Sequence, residues 1–190
     1  MLCGVVWALC VALGLQSLFA YENTPGDIGE VAQHWPATSQ IRRAVDRPTL
    51  VMLAHPQCPC TRASVAELAR IMAQMGGKVH AYVLFWMPKE SGWDESSLRY
   101  SAAAIPGVTA LSDVDGIEAE RFGVETSGHT LLFNRDGHLL FSGGITVSRG
   151  HEGDNAGERA LISLIRNGMT ARPTTLVFGC SLGDRDKSKK

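Results

Sequence analysis

The stretch "TLVMLAHPQCPCTRASVAELARIMAQ", Thr49 to Gln74, constrains the fold more than any other part of the chain. Thr49 to His55 is an apolar, β-branched run of strand length without alternation, the pattern of a strand covered on both faces. From Thr61 to Gln74, Val65, Leu68, Ile71 and Met72 fall on one stripe at helical spacing, and Gly76-Gly77 stops it. Between strand and helix stand two cysteines, Cys58 and Cys60, with only Pro59 separating them. A buried strand feeding a helix through a short turn is one half of a parallel α/β unit.

The remaining chain continues that alternation. "VHAYVLFWM", Val79 to Met87, reads as a second strand stopped by Pro88, and "DESSLRYSAAAI" as a helix with Asp94 near its N-cap and Pro106-Gly107 closing it. "VTALSDVDG" gives a short strand and turn, and "IEAERFGV" a brief helix. Two apolar runs around Asn134 to Gly137 predict a hairpin, because Asp-Gly supplies a tight turn. Asp154 and Asn155 can cap "AGERALISLIRN", which Gly168 ends. The expected order is β-α-β-α-β-α-β-β-α, an α/β fold with a mixed central sheet and helices on both faces.

The N-terminus is different in kind. Leu2 to Ala20 carries no charge and is about long enough to cross a hydrocarbon layer of roughly 30 Å as a helix. No Lys or Arg precedes it, and Leu18 stands before Phe19 and Ala20 where a signal peptidase prefers small residues, so an uncleaved anchor is expected over a signal. The expected domains are residues 1–20 as anchor or signal, 21–37 as a tether, 38–170 as the globular domain, and 171–190 as a C-terminal segment with Cys180 and a polar tail. With 190 residues, 45% hydrophobic content and net charge -1, the chain can build one ordinary core and shows no basic surface, so nucleic acid is not an expected partner. A globular part outside the cytoplasm, probed by protein thiols and disulfides in an oxidising compartment, is the expected setting.

From about Pro48 to Gly168 the sequence resembles the thioredoxin-like superfamily in its redoxin branch. "PQCPCTRAS" between strand and helix carries one part of the likeness, and "LSDVDGIEAERFGVETSGHTLLFNRDGHLLFSGGI" the other. "GGIT", "RGHEGDN" and "VFGC", with the apolar N-terminus, also resemble bacterial membrane-tethered proteins of the RedB type. The resemblance implies a three-layer sandwich. Cys60 is similar in place to the second cysteine of the superfamily's C-x-x-C; the first would fall at Gln57, so the motif here is C-x-C. Gly128, in "TSGHT", occupies the place of the usual cis-proline, and with Pro59 and Arg62 would shape the substrate side.

A thiol at a helix N-terminus feels unpaired N–H groups and the positive end of the helix dipole, which favour the reactive thiolate. Cys58, in the turn, is expected to be the more exposed and the nucleophile, with Cys60 as its resolving partner. Cys180 in "LVFGCSL" is the alternative, since an apolar C-terminal segment could fold back on the domain. These residues imply an anchored thiol–disulfide oxidoreductase without a cofactor. The same atoms allow a copper(I)-type metal carrier through Cys58, Cys60 and His151, with His129 and His55 as weaker ligands. A redox-inactive binding module is the third class.

Overall fold

The computed structural model describes residues 2–89 and 96–183. The helix start expected at Asp94 and the polar tail through Lys190 lie outside them. The element order is α1 (Leu2–Asn23), β1 (Thr49–Ala54), α2 (Pro59–Met75), β2 (His80–Met87), α3 (Ser97–Ala103), β3 (Val108–Val114), α4 (Ile117–Phe122), β4 (Thr130–Phe133), β5 (Leu139–Gly143) and α5 (Ala156–Asn167). From β1 onward this is the order the sequence predicts.

The five strands pair as β3-β2-β1-β4-β5. β1 runs parallel to β2, with Thr49 opposite His80 and Ala54 opposite Phe85, and β2 is parallel to β3. β4 is antiparallel to β1, with Met52 opposite Thr130, and β5 closes the antiparallel edge. β1 is buried along its whole length because its alternate residues enter two cores. Leu50, Met52 and Ala54 join the core under α2, α3 and α5, whereas Val51 and Leu53 join the one under α4 with Phe122, Leu131 and Phe133. The unbroken apolar run is therefore the signature of a central strand.

Helix ends follow local chemistry. Pro59 starts α2 at a position where its missing N–H costs nothing, and Gly76 at φ 52° ends it. Asn155, not Asp154, caps α5: its side chain accepts from the Glu158 amide at 2.8 Å. Asp113 at the end of β3 accepts from the amides of Glu118 and Ala119 and so starts α4. α3 is capped by Ser96.

Two segments without regular structure are laid on the domain. After α1, the expected tether is stitched down: Ala32 N–H donates to Phe122 O, Trp35 N–H to Gly137 O, and Leu139 N–H to Gln33 O. The Trp35 ring meets Phe122 and Phe133 edge-on at 5.2 and 5.3 Å, which supplies the apolar reason for its docking. After α5, the chain returns along the β5 edge. Ser142 N–H donates to Pro173 O and Gly144 N–H to Leu176 O, with Val177 fully buried. This C-terminal strap then passes the end of β1, where Ser127 N–H donates to Cys180 O and Leu182 N–H to Glu125 O. α1 itself has no buried residue, only Glu22 being half-buried among its described residues, and is long and apolar enough to cross a membrane.

Candidate thiol site

The site is assembled at the carboxyl end of β1, where open α/β sheets place their chemistry. Near the end of β1 the pairing runs on into the loop before β4: Leu53 N–H donates to His129 O at 3.0 Å, and Gly128 N–H donates to Leu53 O at 2.7 Å. Gly128 has φ 84°, and a Cβ there would come within 2.7 Å of Ser64 Oγ on α2. Glycine is thus required both by the backbone and by the close approach of α2.

The start of α2 is fixed to the same loop by hydroxyls. Ser127 Oγ accepts from His55 N–H at 2.9 Å and lies 2.8 Å from Thr61 Oγ1, which donates to His55 O at 2.9 Å. Because the one hydroxyl proton of Thr61 goes to His55 O, Ser127 is the donor toward Thr61. His55 stacks on Trp86 with ring centres 5.5 Å apart, and burial lowers its pKa. Neither Thr61 nor Ser127 stands out in the sequence, since hydroxyl residues beside a cysteine turn are common.

Cys58 is the N-cap of α2 in extended backbone, φ -81° and ψ 121°. Its Sγ lies 2.8 Å from Cys180 Sγ, delivered by the C-terminal strap. A disulfide is about 2 Å long, so these free thiols are in contact and need little movement to bond. The expectation that Cys58 is the more exposed thiol is corrected: Cys58 is 2% exposed and Cys60 6%, whereas Cys180 remains partly exposed. The reason is the strap, which covers the turn that the sequence leaves open to solvent. Pro59 and Arg62 are on the exposed side of α2.

The three thiols are electrostatically unequal. Burial works to raise the pKa of Cys58, but the Cys180 thiol and the amides of Cys180, Thr61 and Cys60 outweigh it and hold Cys58 below the ordinary thiol value. Cys60 is pushed up by burial and by its neighbour Cys58. Cys180 is pushed up to about 12, first by burial and then by Cys58. The cation beside these thiols is Arg149, which acts against the upward shifts of Cys60 and Cys180. Its Nη1 donates to Gly179 O and its Nε to Thr24 O at 3.1 Å, while its guanidinium lies 4.9 Å over the Tyr21 ring.

The proposed third metal ligand is turned elsewhere. His151 is exposed, with Nε2 3.6 Å from the Glu22 carboxylate, and His129 is buried with Nε2 2.8 Å from Ser142 Oγ. Among the described residues no group of three or more His, Cys, Asp or Glu side chains is arranged to hold a metal ion.

The parallel β1-β2-β3 unit, the antiparallel β4-β5 edge and a cysteine at the N-terminus of the helix after β1 together decide the fold. The domain is thioredoxin-like. Two solved structures share the path of the chain over most of its length. A hypothetical protein from Sinorhizobium meliloti 1021 has 15% identity and TM-score 0.60, covering 85% of this chain and 96% of its own. An uncharacterized conserved protein from Geobacillus kaustophilus has 20% identity and TM-score 0.60, covering 88% and 97%. A secreted Mycobacterium tuberculosis disulfide oxidoreductase matches less of the chain, 63%, and 81% of its own, at 16% identity and TM-score 0.44. No protein-family model matches the chain, and no curated protein matches its sequence. In this chain the sheet and its helices are overlaid by the docked N-terminal segment and by the strap that carries Cys180.

Two outcomes follow from this geometry. A Cβ on Gly179 would press into the Ser127 carbonyl oxygen; Gly179→Ala is expected to lift the strap and slow Cys58–Cys180 bond formation by about tenfold or more, measured by timed oxidation and peptide mapping. Wild-type rates in a folded variant would show that the strap's seat is not needed. For His129, burial lowers the pKa from 6.5 to about 4, so between those values the unfolded chain binds a proton that the folded chain refuses. Stability is full above pH 6.5 and falls as pH drops toward 4, by on the order of 3 kcal/mol. Urea unfolding across this window should show that slope, and His129→Gln should flatten it.

Proposed function

We propose that this protein is a thiol–disulfide oxidoreductase whose working pair is Cys58 and Cys180, held at a membrane by Leu2–Asn23 with its domain on the extracytoplasmic side. The observation that carries this reading is the 2.8 Å contact between a thiol at a helix N-terminus and a thiol delivered by a separate, well-seated strap. Packing alone does not require two such sulfurs to meet, nor does it set their pKa values apart.

The chemistry is a two-electron interconversion of dithiol and disulfide. In the reduced form the facing Cys180 thiol, the Cys180 amide and the amides at the start of α2 favour the thiolate of Cys58 and hold its pKa below the ordinary thiol value. Stabilising a reduced thiolate makes the corresponding disulfide more oxidising. Cys60 is then a third, buried thiol beside the pair, protonated more strongly than an ordinary cysteine. The anchor reading is supported by the length and apolar character of the 22-residue helix, none of which is buried in the domain.

The test uses the full chain in mild detergent, with Cys3→Ser and Cys10→Ser to silence the thiols of α1. Equilibration against glutathione buffers, with and without copper(I), is followed by alkylation and peptide mapping. A reversible Cys58–Cys180 disulfide with a potential above about -200 mV, indifferent to metal, is expected. Thiols that stay reduced throughout, and are protected from alkylation only by copper(I), would replace this reading with that of a metal carrier. A Cys58–Cys60 bond in place of Cys58–Cys180 would reassign the working pair. Placement is checked separately: alkaline phosphatase fused after Tyr21 should be active, and an inactive, well-expressed fusion would put the domain on the cytoplasmic side.

A further inference from the structure

The two sulfurs of the pair differ in how solvent reaches them. Cys58 is 2% exposed, closed in by the turn, the start of α2 and the strap, whereas Cys180, whose sulfur meets that of Cys58 at 2.8 Å, is partly exposed. Arg149 stands beside Cys180: its guanidinium donates to the carbonyl of the preceding residue, Gly179. Of the two cysteines, Cys180 is therefore the one solvent reaches more readily, and Arg149 places a cation next to it.

Resting on the Cys58–Cys180 pairing above, we propose that Cys180 is the sulfur attacked by outside thiols, so that the oxidised pair serves as an oxidant of reduced protein dithiols. The sequence alone points the other way, to Cys58 as the residue that meets substrate.

The step balances as follows. A substrate thiolate attacks Cys180 Sγ; a bond forms between the substrate sulfur and Cys180, the Cys180–Cys58 bond breaks, and its electron pair leaves on Cys58 Sγ. Exchange is faster when the leaving sulfur is the more acidic one, and Cys58 is held below the ordinary thiol value while Cys180 is not. The substrate's second thiol then loses its proton and attacks the substrate sulfur of the mixed disulfide. The substrate disulfide forms and Cys180 departs, taking up one proton. The substrate has lost two electrons and two protons, the protein pair has gained both electrons, and the second proton is shared between Cys58 and solvent according to pH. Cys180 is the poorer leaving group, so the second exchange is the slower one and the mixed disulfide on Cys180 builds up before it.

The opposite direction is hindered at both sulfurs. Cys58, the more acidic of the two thiols, is buried, and Cys180, the more accessible residue, has its pKa pushed up to about 12 and is protonated.

The experiment takes the full-length protein in mild detergent, oxidises it with diamide, removes the oxidant and maps its disulfides. Reduced glutathione is then added, the reaction is quenched in acid at short intervals, and the adducts are located by peptide mapping, which separates Cys3 and Cys10 from the site. Glutathione on Cys180 with Cys58 released as a free thiol, in about tenfold or greater excess over the adduct on Cys58, is the expected result. Adducts on Cys58 in equal or greater amount would overturn the assignment. Absence of a Cys58–Cys180 bond in the oxidised protein, visible before glutathione is added, would instead remove the pairing and this proposal with it.

Discussion

The reciprocal pair of backbone hydrogen bonds between Leu53 and the Gly128–His129 peptide is the constraint on which the rest of the site depends. It carries the pairing of β1 and β4 past the last sheet residue and holds one loop directly over the start of α2. From that loop Ser127 reaches in both directions: its hydroxyl ties the turn after β1 through His55 and Thr61, and its amide ties the strap through Cys180 O. Cys58 and Cys180 come from opposite ends of the domain in sequence, 122 residues apart. They meet because both are referenced to the same few backbone atoms. Bonds of this kind in a buried setting are costly to break, since each leaves a donor or acceptor without water.

Around that frame the electrostatics separate three chemically identical side chains. Cys58 has amides aimed at it from two directions, from the strap and from the first turn of α2. Cys60, two residues on, has entered the helix and lost that advantage, so burial dominates its behaviour. Cys180 is pushed up by burial and then by facing the more acidic Cys58. The ordering arises from position relative to fixed dipoles.

Much of the architecture is legible in the sequence because it rests on local signals. The run Thr49 to Ala54 is apolar on both faces, the stripe of Val65, Leu68 and Ile71 has helical period, and the turn residues around Gly137 close a hairpin. The cysteine pair at a strand-to-helix turn marks where the site is. What local signals do not carry is the path of the two irregular segments. Trp35 is visible as an apolar residue near the domain's edge, yet the backbone bonds that dock residues 26 to 37 depend on partners far away in sequence. The strap is legible only as an apolar stretch with a cysteine; that it covers Cys58 follows from the seat prepared for it by Gly143, Gly144 and Ser127. Exposure of Cys58 was therefore the expectation most open to reversal, because burial of a turn is decided by whatever lies above it. The partner of His151 could not be read either, for Glu22 belongs to a segment that the sequence presents as remote from the site.

Arg149 touches more than the thiols. Its amide donates to Glu22 O at 3.0 Å, its side chain reaches Thr24 O and lies over Tyr21, and the same guanidinium holds Gly179 beside Cys180. One side chain thus connects the last turn of α1 with the thiol pair. While those contacts hold, a tilt or rotation of α1 is passed to the strap at Cys180, and the direction in which the site opens is tied to that helix.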